Sequence, residues 1–226
     1  DLDITLDEDS GDVSFVLTAE AISSRRKSAV DQSIEIIRRR IDETGTREPS
    51  IQRQGIDRVL VQLPGVDDPD RIKRLLGKTA RLTFQLVAPD VQPDGRIPAG
   101  LAVYKADEKA GAFSNEYVLQ KRIMLSGENL LDAQPTFDQQ SAGPAVSFRL
   151  DASGGRRFGQ VTKDNIGRQF AIVLDGKVIS APVIRSAILG GSGIITGGFS
   201  IEEANDLAVL LRAGALPAPL NVLEER

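Results

Sequence analysis

The 226-residue chain has no histidine, no cysteine, no tryptophan and a single methionine. Without histidine there is no imidazole general base, no Ser-His-Asp triad and no histidine-ligated zinc. Without cysteine there is no thiolate nucleophile, no disulfide and no iron–sulfur cluster. Ser-Lys and paired-carboxylate chemistry survive this filter, so catalysis turns on where individual serines and aspartates sit. Cysteine avoidance is compatible with an oxidising compartment without demonstrating one. No window approaches ~18 consecutive apolar residues, so no segment reads as a membrane span. Asp1-Leu2-Asp3 does not open like a signal peptide. These features fit a cytosolic protein or an ectodomain of something longer.

What is present describes a globular core: 41% hydrophobic and 27% charged residues, within the usual range. The length suits one large or two small domains at ~150 residues each. A net charge of −4 argues against a nucleic-acid binder, which usually carries a basic face.

Residues 12–88 alternate strand and helix. Val13, Phe15 and Leu17 mark a half-buried strand. A helix is expected over about Ser24–Thr44, with Val30, Ile34, Ile37 and Ile41 on one stripe and Gly45 as its stop. Arg38-Arg39-Arg40 reads as a solvated face near the helix C-terminus. Strands follow at about Pro49–Gln54 and Arg58–Leu63. A short helix has Asp67 and Asp68 as caps and Pro69 in its first turn, and a further strand spans Arg81–Val87. Helix capping explains these aspartates better than calcium binding, since the spacing of an EF-hand loop is missing. The βαββαβ order predicts a four-stranded antiparallel sheet with helices on one face, a ferredoxin-like module. RNA-recognition modules share that order but need aromatics on the third strand, and "RVLVQLPG" has none.

From Pro89 the texture changes to a proline-rich linker or lid, and Lys105–Ser114 carries no structural signal. Strands are expected at Tyr117–Leu125, Ala133–Phe137 and Ala145–Leu150, then a helix over about Ser153–Asn165. In "FAIVLDGKVISAPVI", Asp175-Gly176 between apolar runs signals a type I′ hairpin. Leu174 then faces Lys177, Val173 faces Val178 and Ala171 faces Ser180. Ser180 is thereby a strand residue rather than a nucleophile on a strand-to-helix elbow, and Pro182 ends the pairing or marks an edge. "GGSGIITGG" lacks the registers of dinucleotide- and phosphate-binding loops and reads as turns around a short Ile194-Ile195 strand. Ser200-Ile-Glu-Glu203 is a capping box opening a helix that Gly214 stops. A strand-like Leu220–Leu223 is placed to rejoin the first sheet. The expected organisation is α+β: a ferredoxin-like base of residues 1–89 and 214–226, with an inserted α+β head of residues 90–213.

"GPAVSFRLDASGGRRFGQVTKDNIGRQFAIVLDGKVISAPVI" and "GSGIITGGFSIEEANDLAVLLRAGALPAPLNVLEER" closely resemble the SecD family of bacterial protein-export subunits. "QRQGIDRVLVQLPGVDDPDRIKRLLGKTARLTFQLV" fits the same family, and the resemblance is to its large periplasmic domain. It implies a base related to the porter domains of resistance-nodulation-division transporters, carrying a head that swings. It further implies work with SecF and the SecYEG channel on unfolded preprotein, driven by the proton gradient. Attachment would be to the bacterial inner membrane through helices absent from this chain, where the family's proton-conducting residues lie. No catalytic residue, cofactor or metal is implied, and no nucleic acid.

On this reading Ala88, Pro89, Gly214, Pro217 and Pro219 are hinge candidates, where proline and glycine cluster at two connections. Pro182, Ile194, Ile195 and Phe199 are candidates for preprotein contact, the alternative for the last three being plain head core. A small-molecule sensing or regulatory module is the competing reading, since ferredoxin-like folds bind ligands at sheet edges.

Overall fold

Leu2–Leu6 (β1) and Val13–Leu17 (β2) pair antiparallel, with Leu2 opposite Leu17, Ile4 opposite Phe15 and Leu6 opposite Val13. Opposed residues share a face, so one side of this ribbon is wholly apolar. The computed structural model describes residues 2–6, 12–46, 48–107, 114–139 and 142–225, in two compact units of residues 1–69 and 70–226.

In the first unit, the Thr18 hydroxyl accepts the Ala21 amide and starts helix α1 at Ala19, running to Glu43. That cap brings the start forward from the expected Ser24. Ile36, Ile37 and Ile41 are buried on α1, and Gly45 adopts φ 76° beyond the helix end. The arginine run departs from expectation at one position: Arg38 and Arg39 are exposed, whereas Arg40 is only 1% exposed. It falls on the stripe that Ile36, Ile37 and Ile41 occupy, because residues three and four apart share a helix face. Ser50–Gln54 (β3) and Arg58–Gln62 (β4) form a hairpin, turned at Gly55 with φ 72°.

Helix α2 spans Pro69–Gly77 and leads into the second unit, whose strands are Leu82–Leu86 (β5), Leu101–Lys105 (β6), Glu116–Gln120 (β7), Leu125–Ser126 (β8), Leu130–Asp138 (β9) and Gly143–Leu150 (β10). Helix α3 (Ala152–Asp164) precedes Phe170–Leu174 (β11), Lys177–Ser180 (β12) and Ser192–Thr196 (β13), and helix α4 (Ile201–Ala213) follows. The strand order is β12-β11-β5-β8 in one sheet and β13-β10-β9 in another, with β6 and β7 as a separate pair.

The fold is α+β as expected, but the strands pair differently from the single four-stranded sheet. β2 pairs with β1, β3 with β4, and β5 lies between β11 and β8. The physical reason is in β5, where all five residues are buried. A strand buried on both faces needs a layer on each. One face meets Phe148, Phe158, Leu207 and Leu211 in the main core. On the other, the Gln85 amide donates to the Gln120 carbonyl at 2.8 Å and the Tyr104 hydroxyl at 3.3 Å. The stretch 117–125 divides into β7 and β8, and Leu220–Leu223 forms no strand.

Four phenylalanines lock these layers together. Phe84 lies 5.6 Å from Phe148, 6.2 Å from Phe158 and 5.7 Å from Phe170, centroid to centroid. Phe148 stands opposite Gly193 in the β10–β13 pairing, and a Cβ on Gly193 would fall 2.6 Å from the ring. The glycine is therefore a packing requirement, the aromatic covering an edge-strand position that has no side chain. Gly193→Ala is expected to destabilise the chain by about 1–3 kcal/mol, the usual cost of overpacking, measured as a lower urea midpoint at unchanged slope. An unchanged midpoint would show that Phe148 gives way freely.

Candidate functional site

The hairpin expected at Asp175-Gly176 is present. Asp175 and Gly176 take φ 49° and 81°, the two left-handed residues of a type I′ turn. Leu174 faces Lys177 and Val173 faces Val178 as expected, but the register then shifts and Ser180 faces Ile172 instead of Ala171. Ile179 is the extra residue of this bulge. Beyond it, the Phe170 amide donates to the Pro182 carbonyl at 2.9 Å, so the strand ends on a residue that accepts without donating. Ser180 remains inside the ladder, away from any nucleophile elbow.

Asp175 does more than turn the chain. Its carboxylate accepts from the Thr79 hydroxyl, the Ala80 amide at 3.0 Å and the Arg81 amide at 2.8 Å. Ala80 sits at φ 59°, and this clamp holds it there at the entrance to β5. The sequence signalled the turn alone, since the clamped residues lie some ninety positions earlier.

The glycine-rich loop forms β13 as expected, an edge strand that among the described residues pairs with β10 alone. Its approach is held by α3. A Cβ on Gly155 would meet the Gly191 Cα at 3.3 Å, one on Gly159 would meet Leu189 at 3.2 Å, and the Thr162 hydroxyl accepts the Ile188 amide at 2.9 Å. Gly155 and Gly159 are four apart on one helix face, a spacing visible in the sequence. α3 itself starts at Asp151, whose carboxylate accepts the Gly154 amide at 2.6 Å. That bond, with help from Ser153 and Asn129, holds the Asp151 carboxyl below its ordinary range against the opposing effect of desolvation.

Of the contact candidates, Ile194 is 51% exposed, Ile195 is fully buried, and Phe199 packs half-buried against the main core. Pro182 is exposed beside β12, in the other sheet. Among the hinge candidates, the Ala88 amide donates to the Val118 carbonyl, while the amide of Leu216, two residues past Gly214, donates to the Thr79 carbonyl. The two connections thus flank opposite ends of β5. Pro89, Pro217 and Pro219 are exposed. α2 is fastened to α4 by the Arg71 guanidinium, which donates to the Asp206 carboxylate at 2.9 and 2.7 Å.

The first unit carries a cleft lined by Ile22, Arg26, Lys27, Arg53 and Ile56 among others. Arg53 is committed there, donating to the carbonyls of Gly55 and Ile56 and to Asp31. Among the described residues no cluster of three or more acidic or metal-ligating side chains is placed to hold a metal ion. Among the described residues no helix is long and apolar enough to cross a membrane.

Residues 102–218 match the family model described as SecDF, P1 head subdomain, and residues 30–89 match the protein translocase subunit SecDF P1 domain, N-terminal. A protein translocase subunit SecD from Acetobacter pasteurianus is 49% identical over 97% of this chain, and one from Rickettsia conorii is 50% identical over 87%. The chain spans 42% and 38% of those relatives' lengths. A solved structure of a membrane component SecDF that enhances protein export superposes with a TM-score of 0.71 at 33% identity, covering 88% of this chain and 93% of that one. SecDF in a super-membrane-facing form gives 0.72 at 35% identity, over 87% of this chain and 28% of that one. The fold and these matches define a domain of a protein translocase subunit. The chain belongs to the SecD/SecDF family.

The Asp151 cap carries a pH signature. Its folded pKa is depressed, so the stabilisation is complete above the unfolded value, ~3.9, and is lost as pH falls through the folded one. Asp151→Asn is expected to flatten the loss of stability below about pH 4, read from urea midpoints at stepped pH. Parallel acid limbs for the two proteins would rule this out.

Proposed function

We propose that this chain is the periplasm-facing domain of a protein-export subunit that contacts translocating preprotein and assists its passage, without catalysis of its own. The observation that carries the reading is the superposition over 88% of the chain on a protein said to enhance protein export. Membership of a translocase family along nearly the whole length supports it. The composition agrees, since it removes imidazole and thiolate chemistry, while Ser180 and Asp175 are occupied by ladder and clamp. SecF and the SecYEG channel are the partners in the intact protein, and the proton gradient supplies the work through membrane helices outside this chain.

The mechanical half of the reading is that a head of residues 90–213 moves against a base of 1–89 and 214–226. Because β5 pairs with β11 and its Phe84 packs among Phe148, Phe158 and Phe170, β5 travels with the head, so bending at Ala88–Pro89 and Gly214–Pro219 has to be joined by bending of the chain that enters β5. Hinges of this kind are a few element-terminal residues that absorb the dihedral change.

The test places a photo-crosslinking residue at Ile194, Pro182 or Ile56 of the full-length protein in membrane vesicles, with a secretory protein arrested in translocation. Adducts that require the arrested chain and disappear when it is chased are expected from at least one head position. Vesicles that yield none from any position, while the same protein still supports export, would refute preprotein contact.

A further inference from the structure

Of the four outer edges of the two larger sheets, three are closed. On β12, the Asp107 amide donates to the Val178 carbonyl, and Ala106 bridges Val178 in parallel. β8 is two residues long and runs straight into a 3-10 turn. β9 is blunted at two points. Pro135 offers no amide, and the Ala133 carbonyl accepts from the Arg212 guanidinium at 2.5 Å. These are the devices by which sheets avoid pairing with stray strands.

β13, Ser-Gly-Ile-Ile-Thr, has none of them. It contains no proline and no charge, and its partner side is filled by β10 alone. Which backbone groups face outward follows from the ladder. The Leu150 amide donates to the Gly191 carbonyl at 2.8 Å, and that pair lies in register with Arg149–Ser192. In an antiparallel pair, bonded and non-bonded residues alternate. Gly193 and Ile195 therefore turn their amides and carbonyls to β10, while those of Ser192, Ile194 and Thr196 point away. The same alternation carried across β10 turns Ala133 and Pro135 outward on β9, where the arginine and the missing amide are found.

We propose that the outward edge of β13 is the site at which extended polypeptide is held, by strand addition through Ser192, Ile194 and Thr196. Extended chain is the occupant whose spacing of donors and acceptors matches a free strand edge, and recognition through backbone is indifferent to sequence. The exposed Ile194 adds one apolar cross-strand contact. The strand is prepared for this by its support: Gly193 lies under Phe148, and α3 fixes residues 188–191 through Gly155, Gly159 and Thr162. This site rests on the reading of preprotein contact and gives it a location.

The experiment is amide exchange by NMR on the 226-residue chain, alone and with an unstructured Thr/Val-alternating peptide of about ten residues. A second peptide is N-methylated at every other residue. Exchange at Ser192, Ile194 and Thr196 should slow by roughly tenfold or more at saturation, with Gly193 and Ile195 unchanged. The methylated peptide and the Ile194→Pro variant should both fail to bind, while Ile194→Thr, which keeps the amide, binds. Peptide that binds with protection elsewhere overturns the site and leaves preprotein contact standing. Peptide that does not bind at all overturns both. Protection of the same three amides by raising the protein's own concentration would assign the edge to a second copy and overturn the proposal.

Discussion

Phe84 is the residue on which the second unit depends. It sits at the centre of β5, and its ring meets one phenylalanine from each of three other elements: Phe148 of β10, Phe158 of α3 and Phe170 of β11. Aromatic pairs at such distances contribute about 0.5–1.5 kcal/mol each beyond the area they bury, and the four rings bring both sheets and a helix to one point. Half of the chain's eight phenylalanines are spent here. The consequence reaches the surface, because Phe148 so held presses on Gly193 and sets the height of β13.

The same centre explains what could be read in the sequence and what could not. Signals confined to a few residues were legible: the Asp175-Gly176 turn, the Ser200–Glu203 capping box, the Gly214 stop and the strand at 145–150. Each is a local contest between backbone conformations, settled by the residue present. Assigning Phe84's strand to a sheet was a different problem. "LTFQL" alternates like a half-buried strand, yet Thr83 and Gln85 are buried too, with Gln85 satisfied by groups 19 and 35 residues away. A polar residue that finds distant partners looks exposed from sequence. Arg40 also looks exposed from sequence but is buried on the helix stripe of Ile36, Ile37 and Ile41, and the Ile179 bulge depends on where Pro182 lands, which no pattern within the hairpin fixes.

The contact candidates show the limit at the surface. "GGSGIITGG" announced a short strand between turns, because glycines around two isoleucines permit close backbone approach. It did not separate Ile194 from Ile195, since a strand in isolation has two equivalent faces. Pairing with β10 breaks that equivalence and puts one isoleucine in the core and the other in solvent. Nor did it reveal that β13 is an edge, which is a property of the whole sheet.

The strand addition proposed for β13 also has energetics suited to reversible binding. Each backbone hydrogen bond contributes a net ~0.5–1.5 kcal/mol in water. Ordering each residue of an incoming strand costs about 1–2 kcal/mol. Three outward residues on β13 supply at most six bonds, so gain and cost nearly cancel, and the balance falls to apolar contacts such as that at Ile194. Binding on these terms is weak for every sequence and tight for none. Strand addition of the kind proposed for β13 would hold a polypeptide only briefly, so a directed pull would require movement of the edge itself while the strand is seated.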